Sequence, residues 1–192
     1  MKNVLLIVMV LFFSAFTNAQ NSFQNKTVKI LPQSKLNITG DTNIKAFECV
    51  FDMSYLKKET QLQFIADDPS HIRFKNALLS LNTKGFDCGS RPINNDFHKL
   101  IQSDKYPHIL LELLEIRLQE KGSANAVVNI TIAGTRREHT FPVKFSEGDV
   151  SRIDGILLLD IRDFDLEAPK KLFGMIVVKD EIKINFNLVV QK

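Results

Sequence analysis

Alternation of apolar and polar side chains with a period of two is the feature that most restricts the fold of this chain. The segment DEIKINFNLVVQ places five apolar side chains on one face: Ile182, Ile184, Phe186, Leu188 and Val190. Two earlier segments, ANAVVNITIAG and EHTFPVKFS, repeat the pattern. Successive side chains of a β-strand point to opposite faces, so each segment predicts a strand with one buried face. Eight to nine such strands at hairpin spacing predict an all-β antiparallel barrel or sandwich.

One segment departs from this period. In SRPINNDFHKLIQSDK, four apolar residues fall on one helical stripe: Ile93, Phe97, Leu100 and Ile101. Ser90 is placed to act as the N-cap, and Pro92 lies in the first turn, where its missing N–H costs little. The spacing therefore predicts a short helix from Pro92 to Ile101, ending near Ser103.

The next segment, HILLELLEIRLQ, predicts a strand with apolar side chains on both faces. Pro107 disfavours helix at Tyr106, so the helical segment ends before it. One side carries Leu110, Leu114, Ile116 and Leu118, and the other begins with Ile109, Leu111 and Leu113. We expect core on both sides for part of this strand, with the helix covering one of them at a barrel end.

The first nineteen residues have the features of a secretory signal peptide. They carry a single charge at Lys2, an apolar stretch over 4–13, and small residues at Thr17 and Ala19. The apolar stretch is shorter than the roughly 20 residues that a membrane span needs. We therefore expect cleavage near Ala19, one mature domain at residues 20–192, and a periplasmic or secreted location.

The two cysteines, Cys49 and Cys88, are the only ones in the chain. In an oxidising compartment an even count favours a disulfide, and two buried free thiols are the alternative. Neither cysteine lies in a CxxC motif or beside a histidine, which argues against a catalytic thiol. We interpret the pair as structural.

Charge and motifs exclude several classes of function. The formal net charge is +3, and removal of Lys2 with the leader leaves +2, which is too small to indicate nucleic-acid binding. The four histidines are scattered, and the sequence has no HExxH, GxSxG, P-loop or GxGxxG pattern. We therefore predict no catalytic residue, no metal site and no cofactor other than a possible bound lipid.

The order of motifs along the chain resembles that of the YceI-like proteins. The features that carry the resemblance are SDKYP at Ser103–Pro107, the hairpin at Gly134–Val143, and the entry to the last strand at Val178–Ile182. LNITGDTNIKAFECVF, at Leu36–Phe51, is similar to the opening of that family. The resemblance covers essentially the whole mature chain.

The chain departs from the family pattern in three places. Phe47 stands where many relatives carry Trp, Asp165 stands where many carry Gly, and the cysteine pair is not a general family feature. The resemblance implies an eight-stranded, up-and-down, lipocalin-like antiparallel barrel with an elongated apolar lumen. Some relatives bind a polyisoprenoid chain in that lumen.

A lumen of this kind would be lined by inward-facing apolar residues of several strands. The candidates from the alternation are Phe64, Phe74, Leu114, Val128, Ile130, Phe141, Phe186 and Leu188. Each could equally be plain core if the barrel is filled. An eight-stranded barrel has room for packed side chains or one slender ligand.

Two hypotheses follow. The first is an exported, non-enzymatic carrier of a long apolar lipid, isoprenoid in character, such as a polyprenyl or quinone-like molecule. The second is a packed barrel that acts as a structural or interaction protein through its surface. Transient membrane contact and a homodimer are compatible with either hypothesis.

Overall fold

The computed structural model describes residues 22–57, 59–120, 122–146, 148–171 and 176–191. The predicted signal peptide lies outside this part of the chain. The strands are β1 (Gln24–Ile30), β2 (Lys35–Thr42), β3 (Phe47–Phe51), β4 (Glu59–Asp68), β5 (His71–Asn82), β6 (Phe86–Asp87), β7 (His108–Leu118), β8 (Ser123–Ile132), β9 (Thr135–Ser146), β10 (Val150–Asp160), β11 (Lys170–Lys171) and β12 (Ile176–Gln191). The helix α1 (Arg91–Leu100) lies between β6 and β7, and short 3₁₀ turns cover Met53–Tyr55, Thr83–Gly85 and Ile161–Phe164. No helix in the described ranges is long and apolar enough to cross a membrane.

Eight antiparallel strands close into a ring. Their order around it is β1, β4, β5, β7, β8, β9, β10 and β12, and each strand pairs with the next. The ring closes where β1 meets β12, with Lys29 opposite Gln191 and Ile30 opposite Val190. This arrangement confirms the eight-stranded antiparallel barrel that the sequence predicts.

A second group of strands extends the wall at one end. After β1 the chain bends at Leu31–Ser34 and continues as β2 along the same side of β12. At the bend, Ser34 is buried, and its hydroxyl oxygen accepts a hydrogen bond of 2.9 Å from the Val189 N–H. The strands β2, β3 and β6 then pair side by side and form a short flap beyond the ring.

The helix α1 covers this end of the barrel, as predicted. The Phe97 ring packs against the Phe86 ring with centroids 5.2 Å apart, and Ile101 at the helix end is buried. Ser90 is the N-cap residue, but its side chain makes no capping hydrogen bond. Asn94 instead connects the first turn of the helix to the end of β6, because its side-chain oxygen accepts a 2.6 Å hydrogen bond from the Cys88 N–H.

A disulfide joins Cys49 and Cys88, which confirms the predicted pairing. Cys49 lies in β3 and Cys88 directly follows β6, and both side chains are buried. The bond therefore holds the flap together at the point where the chain enters α1.

The facing predicted for β7 is correct only in part, because the strand contains a register shift. Opposite β8, the pairing steps from Leu113 with Val128 to Glu115 with Val127, so Leu114 is an extra residue. A bulge of this kind reverses which side chains face inward. Ile109, Leu111 and Leu113 therefore share the core with Ile116 and Leu118. The prediction had grouped Leu114 with Ile116 and Leu118.

Candidate functional site

An apolar cavity of about 220 Å³ lies inside the ring. It is lined by Val28, Ile30, Leu36, Thr60, Leu62, Ala77, Leu78, Leu79, Leu111, Leu113, Ala126, Val128, Phe141, Val143, Ile153, Leu157, Ile184, Phe186, Leu188 and Val190. Among these described lining residues, Thr60 alone has a polar side chain. The cavity is larger than the engineered apolar cavities of about 150 Å³ that stay dry and take up benzene or xenon.

The alternation in β12 builds one wall of this cavity. Ile184, Phe186, Leu188 and Val190 all line it, as expected for residues two apart on one strand face. The Phe186 ring meets the Phe141 ring edge-on, with centroids 5.8 Å apart.

The Phe186 ring also lies across Gly155, its register partner on β10. A Cβ at Gly155 would come within 2.3 Å of the Phe186 Cζ. A residue without a side chain is therefore required beneath this ring.

A second cavity of about 60 Å³ lies under α1. Phe97, Leu100 and Ile101 of the helical segment line it. Leu36, Leu111 and Ile184 line both cavities. These three side chains therefore lie between the two cavities and separate them.

Four of the eight predicted lining residues meet the larger cavity: Val128, Phe141, Phe186 and Leu188. Ile130 is fully buried and packs in the core without lining this cavity. Phe64 and Phe74 lie opposite each other on β4 and β5 with ring centroids 6.3 Å apart, and neither lines it. Leu114 occupies the bulge of β7, outside the lining set. Contact of any of these residues with a ligand stays a prediction.

Much of the cavity lining was not predicted from the sequence. Leu111 and Leu113 were assigned to the opposite face of β7, and their apolar character was the available signal. Val28, Ile30 and Leu62 come from strands whose flanking residues are polar, which weakened the pattern. These residues are recognised only once β1 and β4 are seen to form part of the ring.

Among the described residues, the ionisable groups lie away from the lining of the larger cavity. His139 stacks on Phe164 with centroids 5.9 Å apart, and burial lowers the pKa of its imidazole. On the outer surface, His71 Nε2 lies 2.7 Å from the Glu115 carboxylate, and the Arg162 guanidinium lowers the pKa of Asp160 to about 2. No group of His, Cys, Asp and Glu among the described residues is arranged to hold a metal ion. The larger cavity thus presents apolar surface and one hydroxyl, which suits binding by burial of hydrocarbon, whereas Lys179 lines the smaller cavity.

The chain was compared with known proteins. A family model described as a YceI-like domain matches residues 33–190. The crystal structure of Burkholderia cenocepacia BcnA is similar with a TM-score of 0.63 at 20% identity, covering 82% of this chain and 96% of that one. A polyisoprenoid binding domain from Saccharophagus degradans, implicated in plant cell wall breakdown, gives a TM-score of 0.62 at 12% identity, covering 85% and 97%.

A third solved structure, the Campylobacter jejuni YceI protein, has a TM-score of 0.53 at 12% identity, covering 62% of this chain and 73% of that one. Similarity at these identities shows the fold. Comparison with curated proteins finds no match.

Proposed function

The chain belongs to the YceI-like family, and on that premise we propose that it is an exported, non-enzymatic carrier that holds a long apolar lipid of isoprenoid character in its lumen. The observation that carries this proposal is the lining of the 220 Å³ cavity, which is apolar except for Thr60. One similar structure is that of a polyisoprenoid binding domain, which supports the choice of ligand class.

Affinity would come from the hydrophobic effect. Each buried CH₂ group contributes about 0.8 kcal/mol, so an apolar tail of roughly ten carbons gains several kcal/mol after the costs of association. The lining supplies no charge that would require a compensating group on the tail. A polar headgroup would therefore remain outside the cavity.

The small volume of the lumen favours a second candidate function, a packed barrel that acts through its surface. Drug-sized ligands occupy pockets of about 300–1,000 Å³. The two cavities measure about 220 and 60 Å³ and are separated by Leu36, Leu111 and Ile184. A long chain must push these three side chains apart or leave part of its length outside. If it does neither, the barrel is a packed interaction module that acts through its surface.

Native mass spectrometry of protein purified from the periplasm of a bacterial host tests the proposal. We expect a stoichiometric adduct that is released on denaturation and extracted as an isoprenoid lipid. The variant Ala126→Leu fills the cavity beside Phe141 and should lose the adduct. Thr140→Leu, on the exposed face of β9, is the matched control and should keep it. A wild-type protein without an adduct, even after incubation with isoprenoid vesicles, would refute the carrier function and favour the packed barrel.

A further inference from the structure

The wall of the barrel is open between β4 and β5 for part of its length. Their ladder ends where Gln63 pairs with Lys75. Beyond this point, 59–62 pairs only with β1 and 77–82 only with β7. Asn76, at the start of the separation, has a positive φ of 59°, and the register of β5 against β7 shifts between Arg73 and Ala77.

The larger cavity extends to this gap. Thr60 and Leu62 line it from the β4 side, and Ala77, Leu78 and Leu79 line it from the β5 side. Leu78 is 46% exposed to solvent although it lines an apolar cavity. A side chain that faces both solvent and lumen marks the place where the two meet.

Two further large and exposed apolar side chains lie near the two ends of β5. Phe23 is 43% exposed, and its ring centroid lies 5.9 Å from the Lys75 Nζ on β5. Tyr55 is 50% exposed and lies against Gly85, just beyond the far end of β5. Phe23 and Leu78 therefore lie beside β5 along the gap, and Tyr55 lies next to the turn that follows β5.

Basic residues border the gap. Lys26, on β1, is the exposed register partner of the lining residue Leu62. Lys57 is exposed just before β4, and Lys75 lies where the ladder ends.

Two acidic side chains near the gap lie opposite or pair with basic residues, and a third accepts a hydrogen bond from the backbone. Glu59 stands opposite Lys29 in the ladder between β4 and β1. Asp52 accepts a hydrogen bond from the Ser54 N–H, and Asp67 pairs with Arg73. The hydrogen bond leaves the negative charge of Asp52 in place, so the gap combines exposed apolar side chains with an excess of positive charge from the three lysines.

We propose that this face, defined by Phe23, Tyr55, Leu78, Lys26, Lys57 and Lys75, docks on an anionic lipid bilayer and that lipid passes sideways between β4 and β5. Aromatic side chains at the headgroup level and lysines beside them are the features that hold proteins at anionic membrane surfaces. Lipid entering here would move from bilayer to lumen without exposing its tail to water. The passage of lipid rests on the proposed carrier function, whereas docking does not.

Vesicle binding by lipid-stripped mature protein tests the docking surface. We expect binding to vesicles of phosphatidylglycerol and phosphatidylethanolamine that weakens with added salt, and at least tenfold weaker binding to pure phosphatidylcholine. The triple variant K26Q/K57Q/K75Q should lose at least tenfold in binding to the anionic vesicles. The matched triple variant K35Q/K144Q/K183Q, which removes the same charge from exposed positions on β2, β9 and β12, should bind as wild type.

The variant L78D tests the passage. It should slow the transfer of a fluorescent isoprenoid from vesicles into the protein at least tenfold, whereas I156D, at a similarly exposed apolar position on β10, should not. Equal effects of the two lysine triples, or a solution dimer that buries Leu78, would overturn the docking surface. Vesicle binding without any lumen adduct would refute the carrier function while leaving docking intact. An adduct without vesicle binding would refute docking while leaving the carrier function intact.

Discussion

The substitution Gly155→Ala tests whether the space beneath the Phe186 ring is required by the fold. The added methyl group would lie 2.3 Å from the Phe186 Cζ and 2.8 Å from its Cε1, whereas carbon atoms in contact normally lie about 3.5–4.0 Å apart. The ring must therefore withdraw by more than about 1 Å. It lines the 220 Å³ cavity and has room to move there.

Overpacking of a core commonly costs about 1–3 kcal/mol, and room in the lumen favours the lower half of that range. Alanine also lowers the conformational entropy of the unfolded chain, which raises the free energy of unfolding by about 0.4–1 kcal/mol. We expect a net loss of about 1 kcal/mol in the free energy of unfolding, or about 2–4 °C in Tm. Isoprenoid loading should fall as well, because the displaced ring occupies lumen volume.

Urea denaturation followed by far-ultraviolet circular dichroism measures the change. Gly148→Ala is the control, because the nearest atom to its Cβ, the Val150 carbonyl oxygen, is 3.6 Å away. Its effect should stay within about 0.5 kcal/mol. The double variant Gly155→Ala/Phe186→Leu removes the clash, and the Ala substitution should cost less in that background. If Gly155→Ala is neutral, or equally costly with Leu at 186, the argument from ring contact is wrong.

Three further predictions concern the lumen, the disulfide and a partly buried histidine. Leu111→Ala joins the two cavities; it should cost about 2–4 kcal/mol and shift the preferred ligand to longer chains, measured by loading with isoprenoids of graded length. The variant C49A/C88A opens a loop of 39 residues and should lose about 4 kcal/mol in the chain-entropy model; reduced wild type should match it in urea denaturation, and a loss below about 1 kcal/mol would contradict this. Because burial lowers the pKa of His139, the unfolded chain takes up this proton more readily, so stability should fall as pH drops below about 6.5. In His139→Phe that part of the pH dependence should disappear, and an unchanged slope between pH 7 and 5 would exclude the role of His139.

The parts of the structure that follow from local pattern could be predicted from sequence. Unbroken alternation in β12 placed Ile184, Phe186 and Leu188 on the lumen side. The helix was predicted within one residue of its start and one to three residues beyond its end, because an apolar stripe with Pro in the first turn is a local signal. The disulfide followed from there being only two cysteines, which allows one pairing.

The remaining features depend on residues that are distant in sequence. Val128 and Ile130 share one face of β8, yet only Val128 meets the cavity, because the packing opposite each is set by other strands. The bulge at Leu114 interrupts an apolar run in which both faces look alike, so the pattern contains no mark of it. The gap between β4 and β5 begins where their ladder stops and the register of β5 against β7 shifts.

The position of β12 has a consequence for the order in which the molecule folds. This strand pairs with β10 along most of its length, with β2 over 178–187, and with β1 at Val190 and Gln191. It therefore joins the first strand of the ring to the tenth in the chain, a separation of more than 100 residues. Contacts this distant in sequence form slowly, because loop closure precedes any stabilising contact. Until β12 is in place, the ring stays open and the flap lacks its supporting strand, so the earlier strands form an unclosed sheet with two exposed edges.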